Sequence, residues 1–575
     1  MKNVPPDPEP PLAGILEPVF AIRTGDDLGI GDTEGVRQMI DWCARHHLNI
    51  FQTLPINETG GDHSPYNAIS SLAIEPGTIA VSPRHLPDLA DAKFHALAPP
   101  PLLAELRRGN VNYAKAGALK RALLESAFDG FLRGPWRGNT ARGADFRRFL
   151  SENAAWLSDY ALFRALMEEN GGDPAWERWP PEHRAPGDAR AWLLSLPEQR
   201  REALARRRLF FSYVQWIAFG QWQALKSRAQ ARRVLLMGDV PFGAGRHSAD
   251  TWANQDIFDF DWSGGAPPEK VFKADPFTEK WGQNWGVPNY RWDALRRRGF
   301  DWWRARAGII RRHFHLYRLD HVMGFFRVYS FPWTPDRNGE FLPLDGPQAA
   351  AKTGGRLPGF KEFPDDTPEH REANRRQGEE ILRFLQEASG DTSIIAEDLG
   401  VVPDYVPMTL RKLGIPGFRI PSFFREHDGS YSDPAKYPRL SLTQPATHDH
   451  PPLAAAWAGH WREMDAGHNL EENRRELRRV MDFARLGAEP VPRAFTPRLH
   501  EGYLRRVAQS QSRLAVVMIT DVFGQTARFN TPGAVSDENW SARMEQTVAG
   551  LEQDPALLAR TNTFSRLMQE AGRGA

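Results

Sequence analysis

The chain has 575 residues, 25% of them charged, and its 73 Lys+Arg against 72 Asp+Glu leave a net charge of +1. That length can bury a large core, as two or three domains or as one barrel with insertions, and no apolar run approaches the roughly 20 residues that span a bilayer. Near-neutrality argues against nucleic acid or an anionic membrane as partner, the single cysteine, Cys43, excludes an internal disulfide or a cysteine metal site, and the opening residues 1–6 lack a signal-peptide core, which points to the cytoplasm.

After a Pro-rich lead, residues 14–22 read as a first strand. Residues 35–47 follow as a helix with Val36, Met39, Ile40 and Cys43 on one face, and 49–55 as a second strand. Strand, helix, strand sets up a parallel sheet. From 85 to 230 the pattern turns helical, rich in Ala, Leu and Arg, and it closes in an amphipathic helix from Phe210 to about Gln230. Residues 233–239 resume the series as a third buried strand. A fourth begins at Leu316, and 393–400, 417–423, 442–449 and 514–521 supply the remaining four. The sixth and seventh each contain a proline, which a central strand accommodates poorly. Residues 335–375 are charged and rich in Gly and Pro, and read as a long loop.

Eight strands separated mostly by helical segments imply an α/β fold, a (β/α)8 TIM barrel with a large, mostly helical inserted subdomain. The division expected is 1–84 for the start of the barrel, 85–230 for the insertion and 231–575 for the rest of the barrel with its active-site loops. Barrels place their chemistry at the carboxyl ends of the strands. Three of those ends carry acids: Asp320, Glu397 and Asp449.

Arg318 and Asp320 are two residues apart, hence on one side of a strand, and a guanidinium favours the ionised form of a neighbouring carboxylate. An isolated pair of this kind is more often a structural ion pair, but three acids on one rim form a constellation that capping does not explain. Retaining glycosidases hold two carboxyls about 5 Å apart, one as nucleophile and one as acid/base. Asp320 suits the nucleophile. Glu397 follows the apolar Ile394, Ile395 and Ala396, a setting that keeps a proton on a carboxyl. Its neighbour Asp398 is the rival, because successive strand residues face opposite ways. The 19 tryptophans, mostly packing residues, also suit a sugar cleft.

The segments Arg318-Leu319-Asp320-His321, Ala396-Glu397-Asp398-Leu399-Gly400 and Thr447-His448-Asp449 resemble the signatures of the amylomaltase family of 4-α-glucanotransferases, the disproportionating enzymes of glycoside hydrolase family 77. Similar blocks recur at Leu28–Asp32, Gln52, Ser64–Tyr66, Asp159–Phe163, Gly238–Asp239, Ser248–Trp252, Gly265–Pro268, Gly282–Gly286, Asn530–Gly533 and Asn539–Trp540. The likeness runs from about Gly14 to Arg543. It implies a retaining transferase that moves α-1,4-glucan segments between maltodextrin chains derived from starch or glycogen, with no cofactor and no metal. On this resemblance Asp449 grips hydroxyls of the donor sugar, and Arg318, His321 and His448 hydrogen-bond the same ring. Tyr66 packs on the sugar with Ser64 beside it, and Gln283 and Trp285 belong to a lid over residues 265–286. Asp250 is either a sugar contact or a loop cap.

The chain departs from the family pattern at His450, where the family has Asn, and at His247, where it often has Asp. It also carries a longer charged lid. These differences bear on donor length, acceptor and the ratio of transfer to hydrolysis. A hydrolase of the α-amylase kind and a glucan-binding protein without catalysis are the alternatives, and the second is disfavoured because all three acids are present. No zinc-type spacing and no phosphate-binding glycine loop is found in the sequence.

Overall fold

The computed structural model describes residues 10–138, 140–268, 275–532 and 536–574. Residues 269–274 of the expected lid, and the opening residues on which the signal-peptide reading rested, lie outside them.

All eight expected barrel strands form. They are β1 (Leu12–Leu16), β2 (Ile50–Gln52), β3 (Leu235–Val240), β4 (Leu316–Leu319), β5 (Ser393–Ala396), β6 (Gly417–Arg419), β7 (Ser441–Thr443) and β8 (Leu514–Met518). Each pairs in parallel with the next, and β8 returns to β1, closing the barrel in chain order. Ala13, Ile15, Phe51, Leu236, Phe418, Leu442 and Val516 are all fully buried, as expected of short apolar strands covered on both faces. The fit between β1 and β2 is close. A methyl at Gly14 would stand 2.1 Å from the Ile50 carbonyl oxygen, so only glycine passes there.

Most of the strands are shorter than expected, and at three of them proline sets the limit. β1 stops at Leu16 instead of 22, since Pro18 has no N–H to donate, although the Glu17 N–H still reaches the Gln52 carbonyl at 2.9 Å. β6 and β7 end before Pro421 and Pro445, so the prolines that argued against these strands lie just beyond them. As a consequence His448 and Asp449 occupy a turn rather than the strand itself.

α1 (Thr33–Arg45) follows β1, capped by Asp32, whose carboxylate accepts the Glu34 and Gly35 N–H groups. Between β2 and β3 the chain forms a small antiparallel pair, Asn57–Thr59 with Ala68–Ile74, and then a series of helices ending in α2 (Glu198–Ala231). α2 has 34 residues and starts after Pro197, earlier than the amphipathic pattern alone implies.

Above the barrel mouth stands a four-stranded antiparallel sheet made of Phe258–Ala266, Gln283–Tyr290, Val328–Phe331 and Gly359–Lys361. The last strand falls inside the stretch read as a loop. With Asn338–Phe341 and Gly346–Lys352 as helices, that stretch folds around its own small core of Phe277, Phe331, Trp333 and Phe341. Among the described residues no helix is long and apolar enough to cross a membrane.

Candidate active site

Arg318 is the hub. It lies on β4 in register with Asp239 of β3, and its side chain is almost wholly buried. Its Nη1 donates to both oxygens of Asp239 at 3.0 Å, an arrangement that fixes the plane of the guanidinium. Nη2 is thereby aimed at the strand ends, 2.7 Å from Asp320 Oδ1 and 3.7 Å from Glu397 Oε2. The nearest oxygens of Asp320 and Glu397 are closer together than the sum of those two spans. The three acids around the cation keep Arg318 charged despite its burial.

Glu397 follows the last residue of β5. Its Oε2 accepts the His321 N–H at 2.9 Å and its Oε1 the Leu399 N–H at 3.0 Å, so both oxygens are held. The first contact requires His321 to adopt a left-handed backbone, φ 43°, just past the end of β4. Burial pushes the Glu397 carboxyl up to about 7; Arg318 opposes the rise and Asp320 adds to it. Asp398 turns the other way. It accepts the Phe418 N–H at 2.6 Å and seats against Gly417, where a methyl would fall 2.5 Å from its Oδ2, so it ties β5 to β6. The open choice between Glu397 and Asp398 is therefore decided in geometry, with Glu397 on the Arg318 side.

Asp449 is held by a different loop. Asn530 Nδ2 donates to its Oδ1 at 2.6 Å, Arg528 Nη2 donates to its carbonyl oxygen at 2.6 Å, and His448 Nε2 lies 3.3 Å from its Oδ2. Burial works against ionisation of Asp449, but the electrostatic effect of the adjacent His448 and the Asn530 hydrogen bond outweigh it and hold the carboxyl below its ordinary value. Tyr66 joins the two halves. Its hydroxyl donates to Asp239 Oδ2 at 2.7 Å, and its ring stacks on His448 with centroids 5.0 Å apart. Ser64 stands one step back, its hydroxyl accepting the Tyr66 N–H at 3.3 Å, so it shapes the turn that presents the tyrosine.

From the sheet above, Trp285 meets the His321 ring edge-on at 4.7 Å and is 38% exposed, and Gln283 Oε1 accepts its indole N–H at 3.1 Å. Burial draws His321 down to about 4, so its ring is neutral near pH 7. Asp250 does not join this group. It is buried in the short helix Ala249–Ala253, where its oxygens accept the Ser71 N–H at 2.6 Å and Trp302 Nε1 at 2.9 Å. Of the two readings open for Asp250, these hydrogen bonds support the structural one. Of the two departures, His450 hydrogen-bonds Thr447 Oγ1 at 2.8 Å beside Asp449, and His247 lies 3.7 Å from Glu177 of the helical insertion.

Asp239, Arg528 and Asn530 were not singled out from the sequence as site residues. Asp239 is the next-to-last residue of β3 and belongs to the Gly238–Asp239 block, so it too stands near a strand's carboxyl end. Of the two loop residues, Asn530 opens the Asn530–Gly533 block, whereas Arg528 carries no such signal. Among the described residues no group of His, Cys, Asp or Glu is placed to hold a metal ion.

The family model described as 4-alpha-glucanotransferase matches residues 17–548. The chain belongs to the 4-alpha-glucanotransferase family. Among curated 4-alpha-glucanotransferases, that of Chlamydia caviae is 31% identical, the match covering 97% of this chain and 95% of that protein. That of Thermus thermophilus is 30% identical over 90% of this chain and 91% of its own length. The solved amylomaltase of Streptococcus agalactiae, in complex with acarbose, superposes with a TM-score of 0.73 at 22% identity, over 98% of this chain and all of that one. The Corynebacterium glutamicum amylomaltase gives 0.74 at 21% identity, over 97% of this chain and 75% of that one. At that identity the structural likeness establishes the shared barrel fold of this 4-alpha-glucanotransferase.

Proposed function

We propose that this enzyme transfers α-1,4-glucan segments from a donor to an acceptor maltodextrin by double displacement through a covalent glycosyl-Asp320 intermediate. In the first step Asp320 attacks the anomeric carbon while Glu397 gives its proton to the departing glycosidic oxygen. In the second, Glu397 removes the proton of an acceptor hydroxyl, which bonds the anomeric carbon as the bond to Asp320 breaks. The observation that carries this reading is that Asp320 and Glu397 flank one nitrogen of Arg318. Both carboxylates thereby face the same space, as the nucleophile and the acid/base of a retaining pair must.

Protonation supports the same division of labour. Glu397, pushed up to about 7, retains a proton to give, and Asp449, held anionic, can accept hydroxyl hydrogen bonds that tighten as the donor ring flattens. Arg318, His321, His448 and Tyr66 surround that ring, and Trp285 covers it. The substrates fitting this site are maltodextrins derived from starch or glycogen.

The test is product analysis on maltotriose. Transfer yields glucose and a ladder of longer maltodextrins, whereas a hydrolase yields only shorter sugars and a binding protein yields none. Asp320→Asn is expected to reduce the ladder by at least 10⁴-fold with the fold intact. A variant that still disproportionates at a tenth of the parent rate rules out Asp320 as nucleophile.

A further inference from the structure

Trp540 is buried, with 6% of its surface accessible, yet its backbone lies in the left-handed region at φ 60°. That region is uncommon for any residue with a side chain and disfavoured for one this bulky, so the surroundings must impose it. Two contacts do so. The Trp540 N–H donates to the Phe529 carbonyl at 2.7 Å, and the Tyr113 hydroxyl donates to the Trp540 carbonyl at 2.5 Å. The next residue extends the stitch, because the Val111 N–H donates to the Ser541 carbonyl at 2.8 Å. Tyr113 and Val111 come from the helical segment between β2 and β3, so here a loop that follows β8 is fastened to a distant part of the chain.

The strained backbone has a visible consequence at the site. It delivers the indole to the Tyr66–His448 stack, with its centroid 5.9 Å from each ring and tilted 42° and 41° to them. Tyr66 is committed to Asp239 through its hydroxyl, and His448 is next to Asp449, so the indole braces the point where the Arg318 half and the Asp449 half of the site meet. Glycine would satisfy the backbone at this position without cost. A tryptophan kept there instead is explained by the ring it places.

We propose that Trp540 is a positioning residue for the donor sugar: its left-handed backbone, pinned by Tyr113 and Phe529, holds an indole that keeps the Tyr66 and His448 rings stacked beside the sugar. This deepens the proposed function and rests on its donor site. The test measures maltotriose binding by calorimetry on the Asp320→Asn background, with thermal midpoints recorded alongside. Trp540→Ala is expected to weaken binding at least tenfold, and Trp540→Phe to restore it to within about threefold of the parent.

Trp540→Gly separates ring from backbone. It removes the strain, and its midpoint should equal or exceed that of the alanine variant while its binding stays as weak. Tyr113→Phe leaves every ring in place and unties only the carbonyl; it should weaken binding several-fold. Unchanged affinity in the alanine and glycine variants, with only the midpoints lowered, overturns the proposal. So does full affinity in Trp540→Gly alone. If the parent binds maltotriose but the wild type builds no ladder, the transferase reading fails while the brace stands. If the parent does not bind at all, both fail.

Discussion

At Glu397, burial competes with the Arg318 guanidinium for control of one proton, and burial wins. A carboxyl raised to about 7 is protonated below that pH and ionised above it, so an acid that must donate to the leaving oxygen is lost as pH rises. The alkaline limb of kcat/KM is therefore expected to fall through a midpoint near 7, by about one decade per pH unit beyond it. A profile flat to pH 9 would remove Glu397 from that role. The sequence revealed that acids follow β4, β5 and β7, and the apolar residues before Glu397 indicated the direction of its shift. It could not reveal that Asp239 clamps the hub arginine, since that depends on β3 and β4 lying in register so that Asp239 faces Arg318. Nor could it separate Glu397 from Asp398. Alternation along a strand says that one of the pair turns away, and only the contact of Asp398 with Gly417 and the Phe418 N–H says which. For Asp250 the sequence admitted both a sugar contact and a loop cap. Its acceptance of hydrogen bonds from Ser71 and Trp302 gives it a structural place.

Among the elements, the apolar runs that form barrel strands were legible because parallel strands buried on both faces cannot be diluted with polar residues. Their ends were less so. Proline did not abolish β6 or β7 but ended them, which left His448 and Asp449 in a turn where side chains are free of strict alternation. The pairing of β1 with β2 rests on a position without a side chain. Gly14→Ala puts a methyl 2.1 Å from the Ile50 carbonyl oxygen, a backbone atom that cannot swing aside. We expect a loss of about 3 kcal/mol or more, measured as a lowered thermal midpoint, with the residual folded fraction retaining normal KM. The sheet above the mouth escaped the sequence reading. Its strands carry glycines and a proline and pair antiparallel over long sequence separations, so no local pattern announces them.

On the scale of the whole molecule, the barrel presents acids from several loops to one space, and the antiparallel sheet brings Trp285 over it from outside. If that indole keeps water from the glycosyl intermediate, its removal changes the partition of the intermediate rather than its formation. Trp285→Ala is expected to raise the share of turnovers ending in hydrolysis several-fold, read as free reducing sugar against ladder products, with the thermal midpoint unchanged because the residue is partly exposed. An unaltered ratio would assign Trp285 to packing alone. What the sequence by itself determined was the set of eight strands, their order and the acids at their ends, since these follow from local hydrophobic patterning and from which residues interrupt it. The meeting of Asp320, Glu397, Asp239 and Arg318, the Asn530 grip on Asp449 and the indole behind Tyr66 were decided only by tertiary structure. Closing the barrel fixes the register between strands, and contacts across hundreds of residues leave no trace in local composition.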